Sequence, residues 1–505
     1  ILQQLIPNIP VEVINMYAKK LICNSDTNFV TLMMMQEKDG KAYPTEQQLA
    51  DIVKGVRAEK LEAYVDHVKN EPLIAQLPKA GKIRKTVENK VLGYKELTLS
   101  NGAKVIMKKT DFKDNEILFS AKAKVGYSAF EKADQSSVML MTQALDASGL
   151  GNFTNAELEK AMAGKQASVK FTMDPFYHGL SGKSTPKDIE TLMQLIYLDM
   201  TAVKKDEKSF ANLQNTYATI LANQSNNPNL VFQDSVQSTV YLGSKLARIP
   251  SADDIKAINY DRLLAMGKQY YGNAKDFTFY FVGNYDEATL LPLIEQYIAS
   301  LPAKGCTLQN KDIPYAKGKV SNVFTKAMSN PQNQVQEIWY AMTPYTLKAD
   351  VLADMAARLL EMKYLRSIRE ELSAAYHAGA TASVFTDKDG LAAVNIVGSA
   401  QLNPEKSDAA IPCFFQGMKE VVAGADAADL QKVKEILLKQ ADVDSRENSH
   451  WLSVLINYAT RGVDTHTDYK KTVNEIDSKQ ISDFLQNTIL KSGNHVEVIM
   501  KAVKE

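Results

Sequence analysis

Residues 97–126 read LTLSNGAKVIMKKTDFKDNEILFSAKAKVG. Two runs of alternating apolar residues flank Asn101-Gly102, and a third run, EILFSAKAKV, begins at Glu116. An Asn-Gly pair between alternating runs predicts a two-residue hairpin, because a type I′ turn needs positive φ at both central positions. The third run keeps the period of two that marks a half-buried strand. A domain therefore opens here with strands. Downstream the pattern predicts helices across 134–147 and 154–165, strands across 167–181, helices through about 186–271, and a closing strand FTFYFVG. The same plan then recurs: strand QVQEIWYAMT, a long helix over 347–372, strands near 375–385 and 391–400, helices to 489, and strand HVEVIM. Antiparallel strands with helices grouped in long runs favour an α+β fold over a doubly wound parallel sheet.

A shorter arrangement occurs three times. IPVEVINMYAKKLICNSDTNFVTLMMM starts at Ile9, INYDRLLAMGKQYYGNAKDFTFYFVG at Ile258 and IDSKQISDFLQNTILKSGNHVEVIM at Ile476. Each reads as an amphipathic helix, a polar turn and an alternating strand, so each looks like the closing element of one domain type. A full domain precedes the second and third copies, and almost nothing precedes the first. The chain thus reads as starting inside a domain, as a processed or truncated piece of a precursor. The expected division is 1–65 as the tail of a preceding similar domain, 66–92 as a linker rich in Pro, Gly and Lys, 93–305 as one complete domain and 317–505 as another.

Composition narrows the function. In 505 residues, 45% are hydrophobic and 23% charged, as in ordinary globular protein. Lys+Arg and Asp+Glu both number 59, so no overall basic field recruits nucleic acid or anionic lipid. No apolar run approaches the ~20 residues that cross a bilayer. Cys23, Cys306 and Cys413 form no CxxC and are odd in number, which gives neither a disulfide framework nor a zinc ribbon and leaves the redox compartment open.

With these pieces in order, LTLSNGAKVIMKKTDFKDNEILFSAKAKVG resembles the opening hairpin of domains in the pitrilysin (M16) family of zinc metallopeptidases, and the resemblance runs over essentially the whole chain. It implies four homologous α+β domains in two halves around a peptide chamber, with this chain supplying the end of the second, the third and the fourth. In the family, the active domain carries HxxEH on the first helix after the hairpin. Two His on one helical face bind Zn²⁺, and the Glu activates water. Here that segment, DQSSVMLMTQALDASGL from Asp134 to Leu150, holds neither His nor Glu. Asp134 and Asp146 do not make a ligand set. Nor do the six histidines, His67, His178, His377, His450, His466 and His495, form an HxxH, HxxxH or HxxEH pair. The resemblance therefore implies a catalytically empty carboxy-terminal half. Zinc belongs to the complete enzyme and is not bound by this chain.

The same resemblance gives a role to REELSAAY, Arg369 to Tyr376. M16 enzymes use an R-x6-Y segment of the fourth domain, which reaches the zinc of the first. The Arg binds substrate backbone and the Tyr supports the tetrahedral intermediate. A guanidinium fork suits peptide carbonyls, and a phenol can donate to an oxyanion. The bland reading is that seven residues span two helical turns, so Arg369 pairs with a carboxylate while Tyr376 packs. Ala375 stands where the family often has Gly, Arg366 is an alternative anchor, and His377 reads as a partly exposed strand residue.

Implied partners are an amino-terminal M16 half, on the same polypeptide or a separate subunit, and peptide substrates. The resemblance to bacterial relatives implies a periplasmic or cell-envelope location. The alternative function is an inactive M16-like scaffold, comparable to the core proteins of respiratory complexes. Three further features read as structure: Asp464, His466 and Asp468 as a polar loop before a helix, Ser184-Thr185-Pro186 as a helix start rather than a phosphate loop, and the methionines of MLM and LMMMQ as core filler.

Overall fold

The computed structural model describes residues 6–21, 29–35, 40–62 and 69–504. The chain divides into two compact units, residues 1–67 and 68–505. In the first, α1 (Val11–Leu21) and α2 (Glu46–Ala58) are helices with no buried residue. A reciprocal capping box between Thr45 and Gln48 starts α2, satisfying two backbone N–H groups that the helix leaves open. Residues 29–35 form no strand, and Met33, Met34 and Met35 are exposed, so the core-filler reading does not hold for this methionine run. Cys23 and His67 lie outside the described residues.

The second unit holds two sheets. In the first, β1 (Ile83–Asn89), β2 (Tyr94–Leu99), β3 (Lys104–Lys109), β4 (Ile117–Lys124), β5 (Ala167–Met173), β6 (Tyr177–Ser184) and β7 (Thr278–Gly283) lie in the order β1-β2-β3-β7-β4-β6-β5. The second contains β8 (Lys319–Met328), β9 (Asn333–Pro344), β10 (Ala378–Thr386), β11 (Leu391–Leu402) and β12 (His495–Lys504), in the order β8-β12-β9-β11-β10. One plan underlies both. A parallel pair, β3 with β7 or β8 with β12, is followed by antiparallel partners in the same sequence. FTFYFVG and HVEVIM thus occupy sheet interiors. The fold is α+β; the helix-and-strand element of the repeat is present in copies two and three, and among the described residues copy one shows only its helix.

Three expectations change. Residues 66–92 are not wholly linker, because Ile83–Asn89 pairs with β2 along its length. The Asn101-Gly102 turn is a three-residue loop. Only Gly102 has positive φ (88°), the Gly102 N–H reaches the Leu99 carbonyl, and Leu99 N–H bonds Ala103 O, the pattern of a type I turn closed by a left-handed Gly. Asn101 Nδ2 donates to the Ile298 and Leu301 carbonyls, which ties the loop to the end of the domain. The predicted helix over 134–147 is broken into a 3₁₀ turn at Gln135–Ser137 and a short helix Met141–Asp146. Asp134 is drawn away from capping by Arg262, which grips both its carboxylate oxygens at 3.0 and 2.6 Å.

Each sheet packs its own helices on one face, and the other face is covered by a helix from the other domain. α3 (Ile189–Thr201) belongs to the first core. A 3₁₀ turn, Pro186–Asp188, leads into it and matches the Thr-Pro reading, with Thr185 accepting from Asp188 N–H and Pro186 at the first position. α4 (Pro228–Val240) places Phe232, Val236 and Val240 against Ile338, Val496, Val498 and Met500 of the second sheet. α5 (Tyr260–Tyr271) returns to the first core, and α6 (Leu347–Tyr364) lies in the second. α7 (Asn448–Arg461) places Val454 and Leu455 against Tyr94, Ile106, Tyr280 and Val282 of the first sheet. Full burial of each such side chain contributes about 1.5–3 kcal/mol.

Candidate functional site

The site begins where α6 ends. Thr346 caps its start by accepting from Ala349 N–H, and the helix continues past Tyr364 as a wider π-helical turn, Leu365–Glu371. Two apolar anchors, Ile368 and Ala374, are buried at 0% and 1% exposure, so the chain must turn between them. It does so through Ser373, whose φ is 48°. The Ala374 N–H returns to the Ile368 carbonyl at 2.9 Å, closing the helix in the manner of a left-handed cap. Lys406 Nζ donates to the freed Leu372 and Ser373 carbonyls, and Asn403 N–H donates to Ala374 O. A lysine at the carbonyl end also complements the helix dipole.

This pinned turn presents Tyr376 at 87% exposure, just before β10. The guanidinium carbon of Arg369 lies 5.3 Å from the Tyr376 ring centre, a cation–π contact worth about 0.5–1 kcal/mol at an exposed site. The two residues meet across the turn rather than on one helical face, because the helix has already ended. Tyr376 does not pack into the core, and among the described residues no carboxylate lies within ion-pair distance of Arg369. Arg366 is engaged elsewhere, 3.8 Å from buried Asp429. His377 is exposed and sits over Gly379. The turn therefore displays a free donor fork and a free phenol side by side on a braced backbone.

The structure also brings together residues far apart in sequence. His450 Nε2 and His466 Nδ1 are 3.0 Å apart, sixteen positions from one another, which no short-spacing rule detects. Burial pushes both below the usual histidine range. Asp464 holds the loop by accepting from the N–H groups of His466 and Thr467, as the polar-loop reading requires. His495 Nε2 is 2.7 Å from Glu337 Oε2 inside the second sheet. His178 is enclosed by Tyr270, Tyr271 and Phe277 and contacts Val125 O.

No group of three or more His, Cys, Asp or Glu side chains is arranged to hold a metal ion among the described residues. On the segment where the family places its zinc ligands, Asp134 is consumed by Arg262, and Asp146 accepts the Phe171 N–H at 2.9 Å. This donor set does not fit zinc. No helix of the described residues is long and apolar enough to cross a membrane.

Residues 257–437 match the family model described as the peptidase M16 inactive domain. The chain is 24% identical over 410 residues to a probable zinc protease PqqL of Escherichia coli, covering 79% of this chain and 42% of that protein. It is 24% identical over 477 residues to a zinc protease PQQL-like protein of Arabidopsis thaliana, covering 90% and 46% respectively. The chain is similar to M16-type peptidases. Its fold matches the crystal structure of the periplasmic protease PqqL from Escherichia coli with a TM-score of 0.76 and 20% identity, over 91% of this chain and 51% of that one. The chain thus spans about half the length of the relatives it matches.

Proposed function

We propose that the chain is the non-catalytic half of an M16-type zinc metalloendopeptidase, which helps to enclose and position extended peptides. Arg369 and Tyr376 complete a zinc site carried by an amino-terminal half, on the same polypeptide or on a separate subunit. The observation that supports this reading is the 87% exposure of Tyr376 beside Arg369 on a turn held by Lys406 and Asn403. An exposed tyrosine that stays out of the core and meets Arg369 on a braced backbone suits a group that waits for an external partner. Arg369 would donate to a peptide carbonyl, fixing the strand to be cut. The Tyr376 hydroxyl would donate to the oxygen that gains charge as that carbonyl becomes tetrahedral.

On this reading residues 1–65 close the second domain of the complete enzyme, and 93–305 and 317–505 are its third and fourth. The periplasmic origin of the structurally similar PqqL supports a periplasmic or cell-envelope location. The test is Tyr376→Phe in the complete assembly with its amino-terminal half. Loss of an oxyanion donor should lower kcat by about 10²–10³ with KM changed less than threefold. An unchanged kcat removes the catalytic role. If the zinc-loaded wild-type assembly cleaves no peptide from a diverse pool, the chain is instead an M16-like scaffold.

A further inference from the structure

Asp199 lies in the last turn of α3, is 7% exposed, and receives no hydrogen bond or ion pair among the described residues. Two cavities have Asp199 in their walls. One, of about 310 Å³, is walled by Leu145, Phe171, Thr201, Leu264 and Gly272, with Lys268 at its rim. The other, of about 190 Å³, is walled by Asp146, Ser148, Leu158, Met162 and Ser168, with Glu159 at its rim.

A buried carboxyl without a partner is costly and is rare in native interiors. Its surroundings make the charge worse. Asp146 supplies a second carboxyl, Glu159 a third at the mouth, and the carbonyl end of α3 adds partial negative charge. What the site lacks is positive charge with hydrogen-bond donors. Lys268 from α5 shares the larger cavity yet stays beyond ion-pair distance, and Lys170 faces Asp146 rather than Asp199. A metal ion does not suit the site, because three ligating groups do not converge there. A primary ammonium does, since it is a compact charge with three donors on an alkyl stem, and the Leu, Phe and Met walls would receive that stem.

We propose that the paired cavities around Asp199 bind a primary alkylammonium group, from a lysine side chain or a peptide amino terminus. This site lies in the first of the two complete domains and does not rest on the proteolytic reading above. Burial pushes Asp199 well up and Asp146 to about 6, so the site gains negative charge as pH rises through the Asp146 value, and ammonium binding strengthens with it.

The test is ligand-observed NMR titration of the 505-residue chain at pH 6 and pH 8. Three probes are used: Nα-acetyl-lysine N-methylamide, its Nε-acetylated form, and glycylglycinamide. Saturable binding is expected for the first or the third, identifying side chain or terminus as the source, and none for the second. Asp199→Asn should weaken binding at least tenfold, and Lys268→Ala should not weaken it. If Asp199→Asn does not fold, Asp146→Asn takes its place and must also weaken binding. The proposal fails if no ammonium probe binds saturably at pH 8, if the acetylated probe binds equally well, or if the carboxamide variant binds like the wild type.

Discussion

Arg369 and Tyr376 meet 5.3 Å apart across a turn whose central residue, Ser373, holds a left-handed φ of 48°. Their juxtaposition is therefore made by backbone geometry and not by a packed core. Replacing Arg369 with Lys keeps the charge but loses the planar fork. Unfolding free energy should change by less than about 0.5 kcal/mol, as for exposed positions generally. In the complete assembly KM for a peptide should rise about tenfold, the order of one charge-assisted hydrogen bond. A KM equal to that of wild type would show that the fork contacts no substrate.

Ser373 offers a separate handle on the same turn. Ser373→Gly removes the cost of a side chain in the left-handed region, about 1 kcal/mol, and should raise the urea midpoint. Ser373→Val adds a β-branched clash at the same φ and should lower both the midpoint and kcat, although residue 373 touches neither Arg369's fork nor the phenol.

The contact between the two complete domains has a polar centre. Asn448 is 0% exposed, accepts from Thr110 Oγ1 at 2.6 Å and donates to Glu116 Oε1 at 2.9 Å, beside the Lys113–Glu447 ion pair. Asn448→Ala leaves the buried Thr110 hydroxyl without its acceptor and should cost about 1–3 kcal/mol in chemical denaturation. Lys113→Ala should leave the denaturation midpoint nearly unchanged, because that pair is exposed to solvent.

Burial pushes Glu337 up to about 7 despite its bond to His495. Its folded value exceeds the ordinary carboxyl value of 4.5, so the folded state binds the proton more tightly than the unfolded state does. The resulting stability is fully present below pH 4.5 and is lost as pH rises through about 7. Denaturation midpoints measured from pH 4.5 to 7.5 should therefore slope downward from this group, and Glu337→Gln should flatten the slope. A slope unchanged in the variant would assign it to other carboxyls, such as Asp146.

Much of the architecture can be read from alternation. KVIMKK, EILFSAKAKV and FTFYFVG are strands because β-branched and aromatic residues recur at the right period. Ile83–Asn89 escaped because IRKTVEN is exposed through most of its length, so its strand character comes from pairing with β2 and not from an apolar face. The helix over 134–147 failed for a different reason: the Arg262 grip on Asp134 joins residues 128 apart. For the candidate site, Arg369 and Tyr376 could be named from spacing and resemblance, but their meeting across a left-handed Ser373, braced by Lys406, is a tertiary fact. Asp199 gave no signal at all, since an acid in ETLMQLIYLDMT reads as the polar side of a helix.

Residues 302–317, which connect the two complete domains, carry no helix or strand, yet α4 and α7 each cross to cover the other domain's sheet. A protease that nicks this connector should leave a gel pattern of two fragments and a chromatography peak of one particle. The same embrace means that the two pieces, produced from separate genes, should find each other and assemble, whereas either piece alone would expose a bare apolar sheet face and aggregate.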